Sequence, residues 1–197
     1  MTETSTPTPA PQTRTVDGAE LPVPGTYTLD LTHSAVMFAV RHLGLSQVRG
    51  HFEEFDGVME IAERPEDSTV AVFVDLGSVD TRLAPRDERL RGDDFFDVAN
   101  HPTMTFRSTR VAGSGSTWTV EGDLTIRGVS HPVTLDVTFQ GAATDPWGGR
   151  RIAFAATGKV DRERWGLTWN QTLDTGAIFV GRTVHLDIEA EAVQQPT

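Results

Sequence analysis

From Thr117 to Ile126 the chain alternates without a break, with Trp118, Val120, Gly122, Leu124 and Ile126 on one side and Thr119, Glu121, Asp123 and Thr125 on the other. Successive side chains of a strand point to opposite faces, so this run predicts a strand with one dry face and one wet face. After the turn RGVSHP the pattern returns as Val133, Leu135, Val137 and Phe139 against Thr134, Asp136, Thr138 and Gln140. A connection this short cannot cross over to a parallel neighbour, and one-sided alternation is the mark of antiparallel pairing.

The same period recurs over the chain from Gly25 onward, and eight strands account for it. Ala35 to Arg41 sets Val36, Phe38 and Val40 on one face. Val48 to Ala62 changes parity near Glu53 and Glu54, which requires a bulge or sharp bend. Thr69 to Val79 follows, with Val70, Val72, Val74 and Leu76 sharing a face, and Thr103 to Val111 places Met104 and Phe106 together. Beyond the two alternating runs, DPWGG turns into Ile152, Phe154 and Ala156, and Val184, Leu186, Ile188 and Ala190 close the series.

One segment, Asp80 to Asn100, breaks the pattern and reads as a short helix with its exit. Pro85 suits a first turn, Asp87 and Glu88 the positive N-terminal end, Arg89 and Arg91 the negative end, and Gly92 the stop. Leu83, Leu90, Phe95 and Phe96 need cover, so the helix is expected to lie as a lid on the end or flank of the sheet. The acidic run Asp87, Glu88, Asp93, Asp94 and Asp97 lacks the spacing of a calcium loop and reads as capping and solubilising the lid.

Eight antiparallel strands can close on themselves, which removes aggregation-prone edges. The predicted fold is therefore all-β: an eight-stranded antiparallel barrel with a short helical lid between strands 3 and 4. Its inner faces are mostly Val, Leu and Ile with a few aromatics. Alternation alone leaves open whether such an interior is a packed core or holds one ligand.

With 197 residues, 38% of them hydrophobic, the chain can bury one substantial core. Residues 25–193 are assigned to the barrel and 194–197 to a C-terminal tail. The first 24 residues contain five prolines and six threonines and read as a disordered leader. They hold no apolar run suited to a signal or a membrane span, so a cytoplasmic location is expected. A net charge of −11 argues against nucleic acid, and the absence of cysteine excludes disulfides and thiolate chemistry.

No catalytic or metal-binding pattern stands out. His33, His42 and His51 are nine residues apart, which suits neither a helical nor a strand pair, so they are not expected to converge on a metal. His101 and His131 each precede a proline and are expected in extended turns. Ser34 follows His33, but adjacent strand residues face opposite ways and no nucleophile elbow surrounds the serine. GSGS from Gly113 and WGG from Trp147 are hairpin turns, since no helix follows them.

Five motifs in order, YTLDLTHSAVMFAVRHLGLSQVRGHFEEFDG, SVDTRLAPRDERLRGDDFFDV, HPTMTF, GDLTIRGVSHPVTLDV and WGLTWN, resemble the YceI family from about Tyr27 to about Glu191. The resemblance implies a lipocalin-like barrel, often dimeric, whose apolar tunnel binds a polyisoprenoid or similar long-chain lipid, with no cofactor. Two positions depart from the family pattern: Arg89, where many members carry histidine, and Arg182, where an acidic residue is common.

The expected tunnel wall comprises Val36, Phe38, Val40 and His42 from the first strand, Val72 and Val74 from the third, and Phe106 from the fourth. Trp118, Val120, Leu135, Val137 and Phe154 continue it, and Trp165 and Trp169 either stack over its mouth or plug an end. A carrier or sequestering protein without catalysis is the leading reading. An enzyme or redox accessory acting on an isoprenoid or quinone, with His42 as its candidate polar group, and a filled scaffold acting through its surface are the alternatives.

Overall fold

The computed structural model describes residues 12–171 and 178–196. Thirteen strands are present among them: β1 (Thr13–Val16), β2 (Ala19–Pro22), β3 (Gly25–Leu29), β4 (Ala35–His42), β5 (Ser46–Phe52), β6 (Phe55–Ile61), β7 (Thr69–Asp75), β8 (Val79–Asp80), β9 (Thr103–Ser114), β10 (Thr117–Ile126), β11 (Val129–Thr144), β12 (Arg150–Asp161) and β13 (Val180–Gln194). The one α-helix among the described residues, α1 (Ala84–Arg91), separates β8 from β9.

The sheet closes because β13 pairs with β12 on one side and with both β3 and β4 on the other. Ile188 of β13 lies opposite Val36 of β4, and Ala192 lies opposite Leu29 of β3, so β3 and β4 are two halves of one stave. In the same way β5 and β6 form one stave, and β7 continues through the turn Leu76–Ser78 into β8. Counted as staves, the barrel has the eight antiparallel strands expected from the alternation, with the helix after the third.

The bend between β5 and β6 sits at Glu53–Glu54, where the alternation shifts. Phe52 and Phe55 are three residues apart, yet both are buried. A regular strand would turn one of them outward. The turn before β11 is shorter than expected. Arg127 and Gly128 have φ of 51° and 73°, the geometry of a two-residue hairpin turn that matches strand twist. His131 and Pro132 consequently lie within β11, opposite Leu124 and Asp123, and not in the turn.

The leader departs from the expectation of disorder within residues 13–22. Asp17 and Gly18, with φ of 49° and 83°, close the β1–β2 hairpin. Arg14 fixes it to the barrel rim by donating to the Ala62 carbonyl at 2.6 Å and pairing with Glu63 at 2.9 Å. Leu21, only 4% exposed, enters the core, which is what the composition of the leader concealed. At the other terminus β13 runs to Gln194, and the Gln195 N–H donates to the Thr26 carbonyl, so the strand extends one or two residues past the expected start of the C-terminal tail.

The helix α1 is held mainly by polar contacts. Asp87, read as a solubilising charge, is buried and accepts from both the N–H and the hydroxyl of Thr81 at 2.9 and 2.5 Å. Arg86 donates to the Thr81 hydroxyl and carbonyl, and Arg91 to the carbonyls of Gly77 and Val79. Phe95 is buried and Phe96 packs on Phe52 at 6.0 Å. Leu83 stays 51% exposed, so it does not find the cover expected for it. No helix among the described residues is long and apolar enough to cross a membrane.

Candidate functional site

The barrel is not filled. An inner cavity of about 230 Å³ lies toward the N-terminal hairpin, and an outer one of about 520 Å³ lies beneath α1. Met104, Leu124 and Leu186 border both, so the two compartments abut at one waist. A single buried water needs only ~10–15 Å³, which places both compartments well beyond packing defects.

The alternating faces of the strands build the walls. Val36, Val72, Val74, Phe106, Trp118, Val120, Leu135, Val137 and Phe154 line the inner compartment, together with Leu21 and Arg14 from the hairpin. Phe38, Val40, His42, Trp165 and Trp169 line the outer one. The two tryptophans divide between the roles left open by the sequence. Trp165 is 1% exposed and donates its indole N–H to the Leu124 carbonyl at 3.0 Å, so it plugs the wall. Trp169 stands at the rim, 5.5 Å from Phe95 and 6.1 Å from Phe179, and the Phe179 ring meets His42 edge-on at 4.6 Å.

Two glycines keep the lumen wide. Phe38 faces Gly50 across the strand pair, and a Cβ on Gly50 would lie 2.5 Å from the Phe38 ring. A Cβ on Gly122 would lie 2.4 Å from the Phe106 ring and 2.5 Å from the Arg107 carbonyl. Each ring therefore lies down over a glycine on its own wall instead of projecting across the space.

The mouth of the outer compartment is cationic. Arg41, Arg86, Arg89 and Arg162 line it with His42, Thr81 and Gln171. The guanidinium of Arg89 lies 3.9 Å from the centre of the Trp169 ring. Arg162 is buried and donates to the carbonyls of Gly181, Leu167 and Val180. Desolvation lowers its pKa from the ordinary arginine value, although a guanidinium remains charged at neutral pH. None of these arginines was legible as a group, because they come from β4, α1 and the turn after β12. No spacing joins them.

The histidines go to separate places. His33 Nδ1 lies 3.0 Å from Asp30, and His51 lies 3.9 Å from Asp80, while His42 faces the outer compartment. Asp30 and Glu191, which lie near His33, are claimed by Arg151 at 2.5 and 2.7 Å, as is Asp145 at 3.0 Å. Hydrogen bonding from Arg151, then from Thr32, holds the Asp30 carboxyl well below the usual carboxylate range. Ser34 is bonded to the backbone of Glu191 through both its donor and acceptor, so it forms no pair with His33.

Known proteins share this architecture. The YceI-like domain matches residues 27–192. Protein YceI of Salmonella arizonae is 40% identical over 164 residues, 83% of each chain, and Protein YceI of Salmonella enteritidis is equally similar. The Campylobacter jejuni YceI protein, 29% identical, superposes with a TM-score of 0.68 over 79% of this chain and 90% of its own. A polyisoprenoid binding domain from Saccharophagus degradans shares the fold, with a TM-score of 0.64 at 18% identity over 86% of this chain and 98% of its own. By sequence and by fold alike, the chain belongs to the YceI family.

Proposed function

We propose that this protein binds a long-chain apolar lipid of the isoprenoid class inside the barrel and carries or sequesters it without chemistry of its own. The observation that carries the reading is the lumen itself: two abutting compartments walled by inward apolar side chains of every stave. Burial of a methylene is worth about 0.8 kcal/mol, so a long hydrocarbon can be retained by area alone, and branched units are accepted as readily as straight ones. The fold neighbour named as a polyisoprenoid binding domain supports an isoprenoid over other chains. Native mass spectrometry of protein purified without detergent tests this: a carrier retains a lipid of defined mass, and extraction identifies it. Protein that arrives at its bare polypeptide mass, and takes up no polyprenol when offered it, would overturn the reading.

A further inference from the structure

We infer that the N-terminal hairpin is a fixed stop across the inner end of the lumen, and that Leu21 on it sets the longest hydrocarbon chain the barrel covers completely. This deepens the lipid-binding reading and rests on it. The placement follows from the order of the staves. The hairpin is held where β6 ends, through the Arg14 bonds to the Ala62 carbonyl and to Glu63. It also reaches the last residue of β11: β2 lies against β11, and Gln12 Nε2 donates to the Thr144 hydroxyl at 2.5 Å. Going round the barrel from β11, β6 is the fourth stave by way of β10, β9 and β7, and the fourth by way of β12, β13 and β3. The two anchors are therefore diametrically opposed, and the hairpin spans the opening instead of lying along its edge. It precedes residues 27–192, which the YceI-like domain matches, and so is an addition to that domain.

The hairpin turns its dry face to the lumen. Arg14 and Leu21 are cross-strand partners, as are Val16 and Ala19, so these four side chains leave the hairpin on one side. Arg14 and Leu21 line the inner compartment, and Val16 packs against the core. On the opposite side Thr13 and Thr15 both donate to the exposed Glu20 carboxylate. Arg14 presents its stem to the lumen, since its guanidinium is turned to the carbonyls of Ala62 and Pro22 and to Glu63. What meets the compartment is hydrocarbon, which suits the far end of an apolar chain and not a polar group. A leucine that only fastened the terminus would be packed on all sides, whereas Leu21 borders a space of about 230 Å³. The stop is also stiff. Pro22 and Pro24 restrict the link to β3, the Tyr27 hydroxyl donates to the Val23 carbonyl at 2.9 Å, and the Gln194 amide donates to the Pro24 carbonyl at 3.2 Å. A link held in this way leaves the hairpin little room to swing aside, so it limits the chain by its position and not as a gate.

The test uses delipidated full-length protein and all-trans prenols from farnesol to solanesol, lengthened by one isoprene unit at a time. Dissociation constants are read by titration in native mass spectrometry. Affinity is expected to rise at least about threefold with each unit that is covered, and to level off at the first unit for which no room remains. Because a leucine side chain and an isoprene unit are of similar bulk, that limit should move about one unit longer in Leu21→Ala and about one unit shorter in Leu21→Trp. Thermal melts report whether the two variants are folded. A second measurement needs no substitution: prenols carrying a photoreactive diazirine at the hydrocarbon end should label residues 12–23, and should still do so when they are longer than the limit. Label found on α1, or lost to water for the longer prenols because they thread past the hairpin, overturns the stop and leaves the lipid reading standing. A limit that stays in place in both folded variants, or affinity lost equally at all lengths, overturns it as well. Failure of every prenol to bind overturns the lipid reading together with the inference.

Discussion

Substituting Val120→Glu separates an open lumen from a filled core. Val120 is buried on β10 and faces the inner compartment of about 230 Å³. Losing the valine contacts costs about 2 kcal/mol. In a filled core the new carboxylate would add several kcal/mol more, comparable with the whole ~5–15 kcal/mol that holds a domain together. In this lumen water can follow the carboxyl group inside, because the compartment is many times the volume one water needs. A pKa raised by about one to two units then costs roughly 1.4–2.7 kcal/mol, and the total is near 4 kcal/mol. That corresponds to a melting temperature lower by about 8–16 °C. A carboxyl group whose folded pKa is raised is stabilising to the protonated fold, so the deficit should grow as pH rises from about 4.3 through the folded value. Circular dichroism melts at pH 5 and 8 and mass spectrometry of extracted lipid make the measurement. We expect a folded barrel without lipid. Thr125→Glu, on the outward face of the same strand opposite Ser130 and Thr105, should keep both fold and lipid. The reasoning is refuted if Val120→Glu still carries lipid, or if it is unfolded at 25 °C while Thr125→Glu is not.

Three further outcomes follow from particular contacts. Removing residues 1–22 should lower the melting temperature by several degrees and increase lipid loss during purification, since Leu21 leaves a slot in the inner compartment; an unchanged melt and full lipid content would count against the hairpin as a cover. Gly122→Ala should destabilise by about 1–3 kcal/mol and reduce the longest chain accepted, because the Arg107 carbonyl cannot yield and the Phe106 ring must move inward; denaturant midpoints and a chain-length series of polyprenols read both effects. Arg151→Gln should lower the melting temperature at pH 7 by a few degrees. Because Asp30 is held below its ordinary value, that advantage of the native protein is present above about pH 4 and should shrink as pH falls further, which melts between pH 7 and 2.5 would show.

The staves were legible because each is dry on one face only. Even the bend could be placed, since Phe52 and Phe55 cannot both be buried by an unbroken strand. The inward residues were legible for the same reason, but their division between compartments depends on how far neighbouring strands are staggered, which alternation does not encode. The hairpin at residues 13–22 was missed although Asp17–Gly18 is a strong turn signal, because proline and threonine around it suggested a chain with nothing to bury. Leu21, with Val16 packed beside the core, carries its attachment. Arg162 was missed for a different reason. Within RERW it reads as a surface charge, and only the return of β13 past it supplies the carbonyls that allow it to be buried.

The hairpin over the inner end gives the barrel a direction. Arg14 is pinned to the rim at Ala62 and Leu21 sits in the wall, so the hairpin lies against the inner compartment, while the arginine-lined way out is the one beneath α1. On the function proposed above, a lipid that enters there goes in tail first and backs out head first, by the way it came. On that route, whatever delivers the proposed lipid and whatever receives it address the same door, one after the other. Exchange between them is then a queue, with its pace set by how quickly the last occupant backs out.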